Sequence, residues 1–201
     1  MDAESDRCAL ELSDARIDVI GYACLVAIMS MGKGYHRESE RQLSAVSAQN
    51  GHPVPVVTSA GALVEGIKAV GARRVSMITP YLKPLTNLVK AYIEAEGIRV
   101  LDTISLEIAD NLQVGRRDPN ALVEIVKDLN TEGAEAIVLS ACVQMPSLAA
   151  VPAVERESGL PVVTASICTT YQMLRKLGLK AVVPSAGSLL SGRYQDHSTA
   201  A

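Results

Sequence analysis

The sequence predicts an α/β protein of two pseudo-symmetric lobes, each with a mostly parallel sheet flanked by helices, and a site between the lobes. Three observations lead there. Short β-branched runs alternate along the chain with longer amphipathic stretches, as they do where strand and helix units build parallel sheets. Two stretches repeat: VIGYAC (19–24) followed by PVVTSAG (55–61) is echoed by IVLSAC (137–142) followed by PVVTASI (161–167). Each repeat closes a strand on Ala-Cys, and ligands of open α/β sheets bind beyond the carboxyl ends of the strands.

In chain order, strands are predicted at 17–24, 55–59, 74–79, 98–107, 135–142 and 161–166, each rich in Val, Ile, Leu or Thr. Helices fill the intervals. LTNLVKAYIEAEG (85–97) and PNALVEIVKDLNTEG (119–133) carry apolar residues three and four apart and end at Gly, with Pro119 suited to a first turn. MGKGYH (31–36) lacks the spacing of a phosphate loop and reads as a flexible loop after Cys24, a lid in form. Residues 191–201 have no period and read as a frayed tail. Residues 1–59 with 167–201 are expected to make the first lobe and 60–166 the second.

Composition narrows the partners. The 201 residues are 48% hydrophobic, enough for a substantial core, and 19 basic against 22 acidic residues give a net charge of -3 with no basic stripe. Nucleic acid and an anionic membrane surface are therefore not expected as partners, and a small molecule is. No apolar run approaches the roughly 18–20 residues that span a bilayer, and the acidic start MDAESDRC is unlike a signal peptide. The chain reads as cytoplasmic. Phe and Trp are absent, so the core must be aliphatic. None of the four cysteines falls in a C-x-x-C pair, which leaves reduced thiols and no metal site.

The chemistry points to Cys24 and Cys142. A thiol between a strand end and a helix N-terminus meets unpaired backbone N–H groups and the positive end of the helix dipole, which lower its pKa from roughly 8.5. It can then act as nucleophile or base. The same N–H groups hold a carboxylate without Arg or Lys, and Leu25, Val26 and Val143, which follow the cysteines, offer backbone donors and no charge. A single cysteine in such a place is most often a small packing residue. Two in matching places favour a two-thiol site. Cys8 and Cys168 have no matching partner and read as packing, and His36, His52 and His197 are unrepeated, which argues against a Cys-His hydrolase.

YACLVA (22–27), TSAGALVEG (58–66), TPYLKPL (79–85), ADNLQVG (109–115) and CVQMPSL (142–148) together resemble the maleate cis-trans isomerases of the aspartate/glutamate racemase superfamily, over about residues 3–190. The resemblance implies a cofactor-independent conversion of maleate to fumarate through a succinyl-cysteine type intermediate, in the breakdown of nicotinate-type rings. It makes Cys24 the nucleophile that adds to the alkene and Cys142 the proton donor. Tyr81, Asn111 and the backbone of Leu25, Val26 and Val143 would hold the carboxylates. On the residues alone, Tyr81 after Pro80 offers a hydroxyl and Asn111 after EIAD an amide at a strand end, and each could equally be a loop cap.

The same resemblance implies a further strand and helix ahead of residue 1, with a substrate-contacting asparagine, so lower solubility and activity are expected of the chain as it stands. An amino-acid racemase using the same thiol pair is the nearest alternative, although apolar residues after both cysteines leave nothing to recognise an ammonium group. A decarboxylase of the superfamily matches at one cysteine, and a carboxylate-binding protein without turnover is the alternative from another class. The oligomeric state is open, with a homodimer among the options.

Overall fold

In the computed structural model, which describes residues 2–194, all six predicted strands form. The chain begins with α1 (Asp2–Ser13), β1 (Ile20–Tyr22), α2 (Leu25–Met29), α3 (Tyr35–Gln49), β2 (Val56–Thr58) and α4 (Ser59–Ala69). It continues with β3 (Arg74–Thr79), α5 (Lys83–Ala95), β4 (Arg99–Ser105), α6 (Asn111–Gly115) and α7 (Ala121–Ile125). It closes with β5 (Ala136–Ser140), α8 (Val151–Ser158), β6 (Val162–Thr164) and α9 (Ala165–Lys176).

The strands make two sheets, both wholly parallel. In the smaller, β1 pairs β2 with Ile20 opposite Val56 and Tyr22 opposite Thr58. The larger has the order β4-β3-β5-β6. Its central strands are mostly apolar and almost wholly buried, as parallel strands covered on both faces are: every residue of β5 is buried, as is every residue of β3 after Arg74. Among the described residues, no helix is long and apolar enough to cross a membrane.

The sequence echo becomes a structural one at the two helices that follow β2 and β6. Thr58 caps α4, its Oγ1 accepting from the Gly61 N–H at 3.1 Å. Thr164 caps α9 identically, accepting from the Ile167 N–H at 3.1 Å. A Ser or Thr side chain that satisfies a first-turn N–H is a strong helix start. The two helices then pack on each other and join the sheets. At their crossing Gly66 lies against Cys168, whose Sγ and Cβ fill the space a side chain at 66 would need.

Three expectations need correction. The helix over 119–133 is only α7 and a 3-10 turn to Asp128. It stops because Leu129 turns into extended geometry and is buried, while the Asn130 N–H donates to Asp102 and its carbonyl accepts from Ser76 Oγ. Pro119 lies in the turn before α7. The segment 31–36 is not a free loop: Gly34 caps α3 in left-handed geometry and His36 is already buried inside that helix. Nor is the tail frayed where it is described. Ser191 bridges Val182, and the Tyr194 carbonyl accepts from the Tyr171 hydroxyl at 2.6 Å; residues 195–201, including His197, lie outside the described residues.

Candidate active site

Cys24 lies two residues past β1 and is the cap of α2, with φ -114° and ψ 89°. Its side chain makes no capping hydrogen bond. The first N–H groups of any α-helix lack partners within it, and here they belong to Leu25 and Val26. Leu25 is anchored in the core and Val26 packs at its edge, so this short turn is fixed by apolar contact while the half-buried thiol is left free.

Cys142 is held differently. It lies two residues past β5, and Ser140 clamps its backbone: Ser140 Oγ donates to the Cys142 carbonyl at 2.8 Å and accepts from the Cys142 N–H at 3.3 Å. The expected helix N-terminus after this thiol is absent, because half-buried Val143 opens an irregular loop that reaches a 3-10 turn only at Leu148. The two cysteines share a strand end, but only Cys24 leads into a helix.

Tyr81 joins them. It follows β3 in a tight turn, and its hydroxyl donates to the Ala141 carbonyl at 3.2 Å. Burial pushes the phenol well above its ordinary pKa, and the Cys142 thiol, within hydrogen-bond reach of it, and then Cys24 push it further the same way. Both thiols therefore act on one phenol, although they arise from different sheets. The turn is strapped to the chain leaving β4, with the Ile108 N–H donating to the Pro80 carbonyl at 2.9 Å and the Glu107 N–H to the Tyr81 carbonyl at 3.3 Å.

Asn111 is not at a strand end. It is the exposed first residue of α6, whose cap is Asp110, with Oδ1 accepting from the Leu112 N–H at 2.9 Å. Its carbonyl accepts from Gln144 Nε2 at 2.6 Å, which ties it to the Cys142 loop. Sequence reasoning missed Ser140 and Gln144. Ser140 carried a signal, since a hydroxyl ending an apolar strand two residues before a cysteine must find a partner; Gln144 carried none.

The remaining candidates separate. Cys168 is fully buried and burial pushes its thiol up, so it is a packing residue. Cys8 is exposed on α1, which corrects the packing assignment. His36 Nδ1 lies 2.6 Å from the Tyr92 hydroxyl and burial pulls its pKa down, while His52 Nε2 meets the Ile17 carbonyl at 3.0 Å. Among the described residues, no group of three or more His, Cys, Asp or Glu side chains is placed to hold a metal ion.

Comparison with known proteins shows the family and the fold. The family model described as arylmalonate decarboxylase matches residues 9–190. The chain is 60% identical over 194 residues to maleate isomerase of Geobacillus stearothermophilus, covering 96% of this chain and 77% of that protein. The chain belongs to the maleate isomerase family. Another maleate isomerase, from Pseudomonas putida, is 59% identical over 194 residues, with 96% and 78% covered. Solved maleate isomerases share the fold: a cysteine-to-alanine variant from Pseudomonas putida S16 with maleate superposes with a TM-score of 0.94 at 56% identity, covering 96% of this chain and 77% of that one. A cysteine-to-serine variant of the Nocardia farcinica maleate isomerase, with a covalently bound succinylcysteine intermediate, gives a TM-score of 0.92 at 44% identity, with 95% and 78% covered.

Proposed function

We propose that the chain converts maleate to fumarate by reversible addition of the Cys24 thiolate to the alkene, with Cys142 moving the proton. Two cysteines that each lie two residues past a parallel strand, with the Tyr81 hydroxyl bonded to the residue before one of them at 3.2 Å, are the observation that carries this reading. Attack of the Cys24 sulfur on C2 of maleate forms an S–C bond and shifts the π electrons to C3, where the Cys142 S–H delivers its proton. C2–C3 is then a single bond and rotates. The Cys142 thiolate takes the proton back, the double bond re-forms, and the C–S bond breaks to release fumarate and the Cys24 thiolate. Electrons and protons balance within the two thiols, and no cofactor enters.

Tyr81, kept neutral by burial, has a single O–H, which on substrate binding exchanges the Ala141 carbonyl for a substrate oxygen, and we assign it with the Asn111 amide and the backbone N–H groups of Leu25, Val26 and Val143 to the two carboxylates. Clamping by Ser140 occupies the Cys142 N–H, so the donor assigned at this cysteine is that of the next residue. Hydrogen bonds to a charged group contribute roughly 1.5–3 kcal/mol each. The apolar side chains of Leu25, Val26 and Val143 suit an alkene and offer no partner to an ammonium group. The test is to follow the vinyl proton signals of maleate by 1H NMR with purified protein: conversion to the fumarate signal is expected, and unchanged maleate would overturn the reading.

A further inference from the structure

We infer that Gln144 is a positioning residue for this reaction, holding α6, and with it Asn111, against the loop that carries Cys142. The inference rests on the substrate role proposed for Asn111. α6 has little else to hold it. It is five residues long, and Val114 is its one buried side chain. Asn111 and Gln113 are exposed, and Leu112 is 65% exposed. A helix this short is not stable by its own hydrogen bonds and depends on outside contacts.

Gln144 supplies one such contact, a hydrogen bond. Its Nε2 donates to the Asn111 carbonyl at 2.6 Å. A Cβ placed on Gly115 would lie 3.6 Å from Gln144 Nε2 and 3.7 Å from its Cγ, ordinary contact distances. The amide thus sits where the Asn111 carbonyl and Gly115 come together one turn apart, and it comes from the residue two past Cys142. Its neighbour Met145 is buried, 1% exposed, so the loop under Gln144 is fixed and the amide acts from a firm base. The Asn111 side chain is thereby set at a defined place relative to the proton donor, although neither Gln144 nor α6 belongs to a β-strand.

The test uses the full chain and three variants, Gln144→Met, Asn111→Ala and the double variant, with maleate turnover and thermal unfolding measured for each. Methionine keeps the length and removes the donor. Gln144→Met should lower kcat/KM about three- to tenfold, the effect of one exposed hydrogen bond. The change should appear as a raised KM at nearly constant kcat, because carboxylate binding is shared by ground and transition states. The unfolding temperature should be unchanged. Adding Gln144→Met to Asn111→Ala should bring no further loss, since the latch then has nothing to place.

A parental kcat/KM in Gln144→Met beside a damaged Asn111→Ala overturns the latch alone. Additive losses in the double variant, or a fall in kcat at constant KM, also overturn it by showing that Gln144 acts elsewhere. A parental Asn111→Ala removes the substrate role of Asn111, and the inference falls with it.

Discussion

The Tyr81 hydroxyl donates to the carbonyl oxygen of Ala141, the residue before Cys142, at 3.2 Å. A phenol from the end of β3 is thereby pinned to the segment that ends β5, and burial keeps it protonated well past the ordinary tyrosine range. Tyr81→Phe should lower kcat/KM by about 10–100-fold, the loss of one hydrogen bond to a charged group. The pH-rate curve should keep its shape between about pH 6 and pH 10, because the phenol does not ionise there in the parent. A curve that changes shape on the alkaline side would show that Tyr81 does titrate.

Different roles for the two thiols predict different failures. Cys24→Ala should abolish both turnover and any covalent adduct. Cys142→Ala should lose isomerisation while still accumulating an adduct on Cys24, the C3 proton then coming slowly from water and no thiolate being at hand to take it back. Intact-protein mass after incubation with maleate separates the cases, and full turnover in either variant would end the two-thiol mechanism.

The α4–α9 seam has no spare volume at Gly66. Gly66→Ala puts a methyl group where Cys168 Sγ already sits, and overpacking of this kind costs about 1–3 kcal/mol. A drop in unfolding temperature is expected. In the double variant with Cys168→Ala part of it should return, because the obstructing sulfur is gone while the Cβ, 2.9 Å from the new methyl, stays. If the second change brings no recovery, some other contact at Gly66 is responsible.

Burial of Cys168 also makes stability depend on alkaline pH. Its folded pKa is raised, so above about pH 8.5 the unfolded chain releases this proton while the folded chain keeps it. The unfolded state then binds fewer protons, and stability falls with rising pH by about 1.4 kcal/mol per unit from this group. Below that range the stabilisation is fully present. Comparing unfolding between pH 7.5 and pH 10, on the order of the window set by an ordinary thiol, Cys168→Ala should show a shallower decline than the parent. Equal slopes would mean the thiol ionises without unfolding.

The six strands were legible because parallel strands covered on both faces are rich in Val, Ile and Leu, as the run AIVL in β5 is. Thr58 and Thr164 were legible as an echo for the same reason that they cap alike: each ends a Val-Val strand just before a helix. The helix over 119–133 misled because its apolar spacing continues to Leu129, while the stop comes from Asp102 and Ser76, far away in sequence. Cys24 and Cys142 were visible as a pair, but the matching helix after Cys142 does not exist, and Tyr81, which reaches the Cys142 segment from the end of a third strand, was no part of the echo. Asn111 looked like a strand end because β4 ends earlier than its pattern, at Ser105. Gln144 was invisible because a lone exposed amide acquires meaning only from the carbonyl it meets.

The closed notch between Gly66 and Cys168 also furnishes a clock. With the sulfur fully buried in the seam, an alkylating reagent can reach it only after α4 and α9 have parted. The rate of Cys168 labelling under native conditions, read by peptide mass, therefore counts how often the joint between the two sheets opens, by local opening or by global unfolding. That count needs no substrate, and it follows the mechanical union of the halves while exposed Cys8, labelled at once, serves as the internal reference.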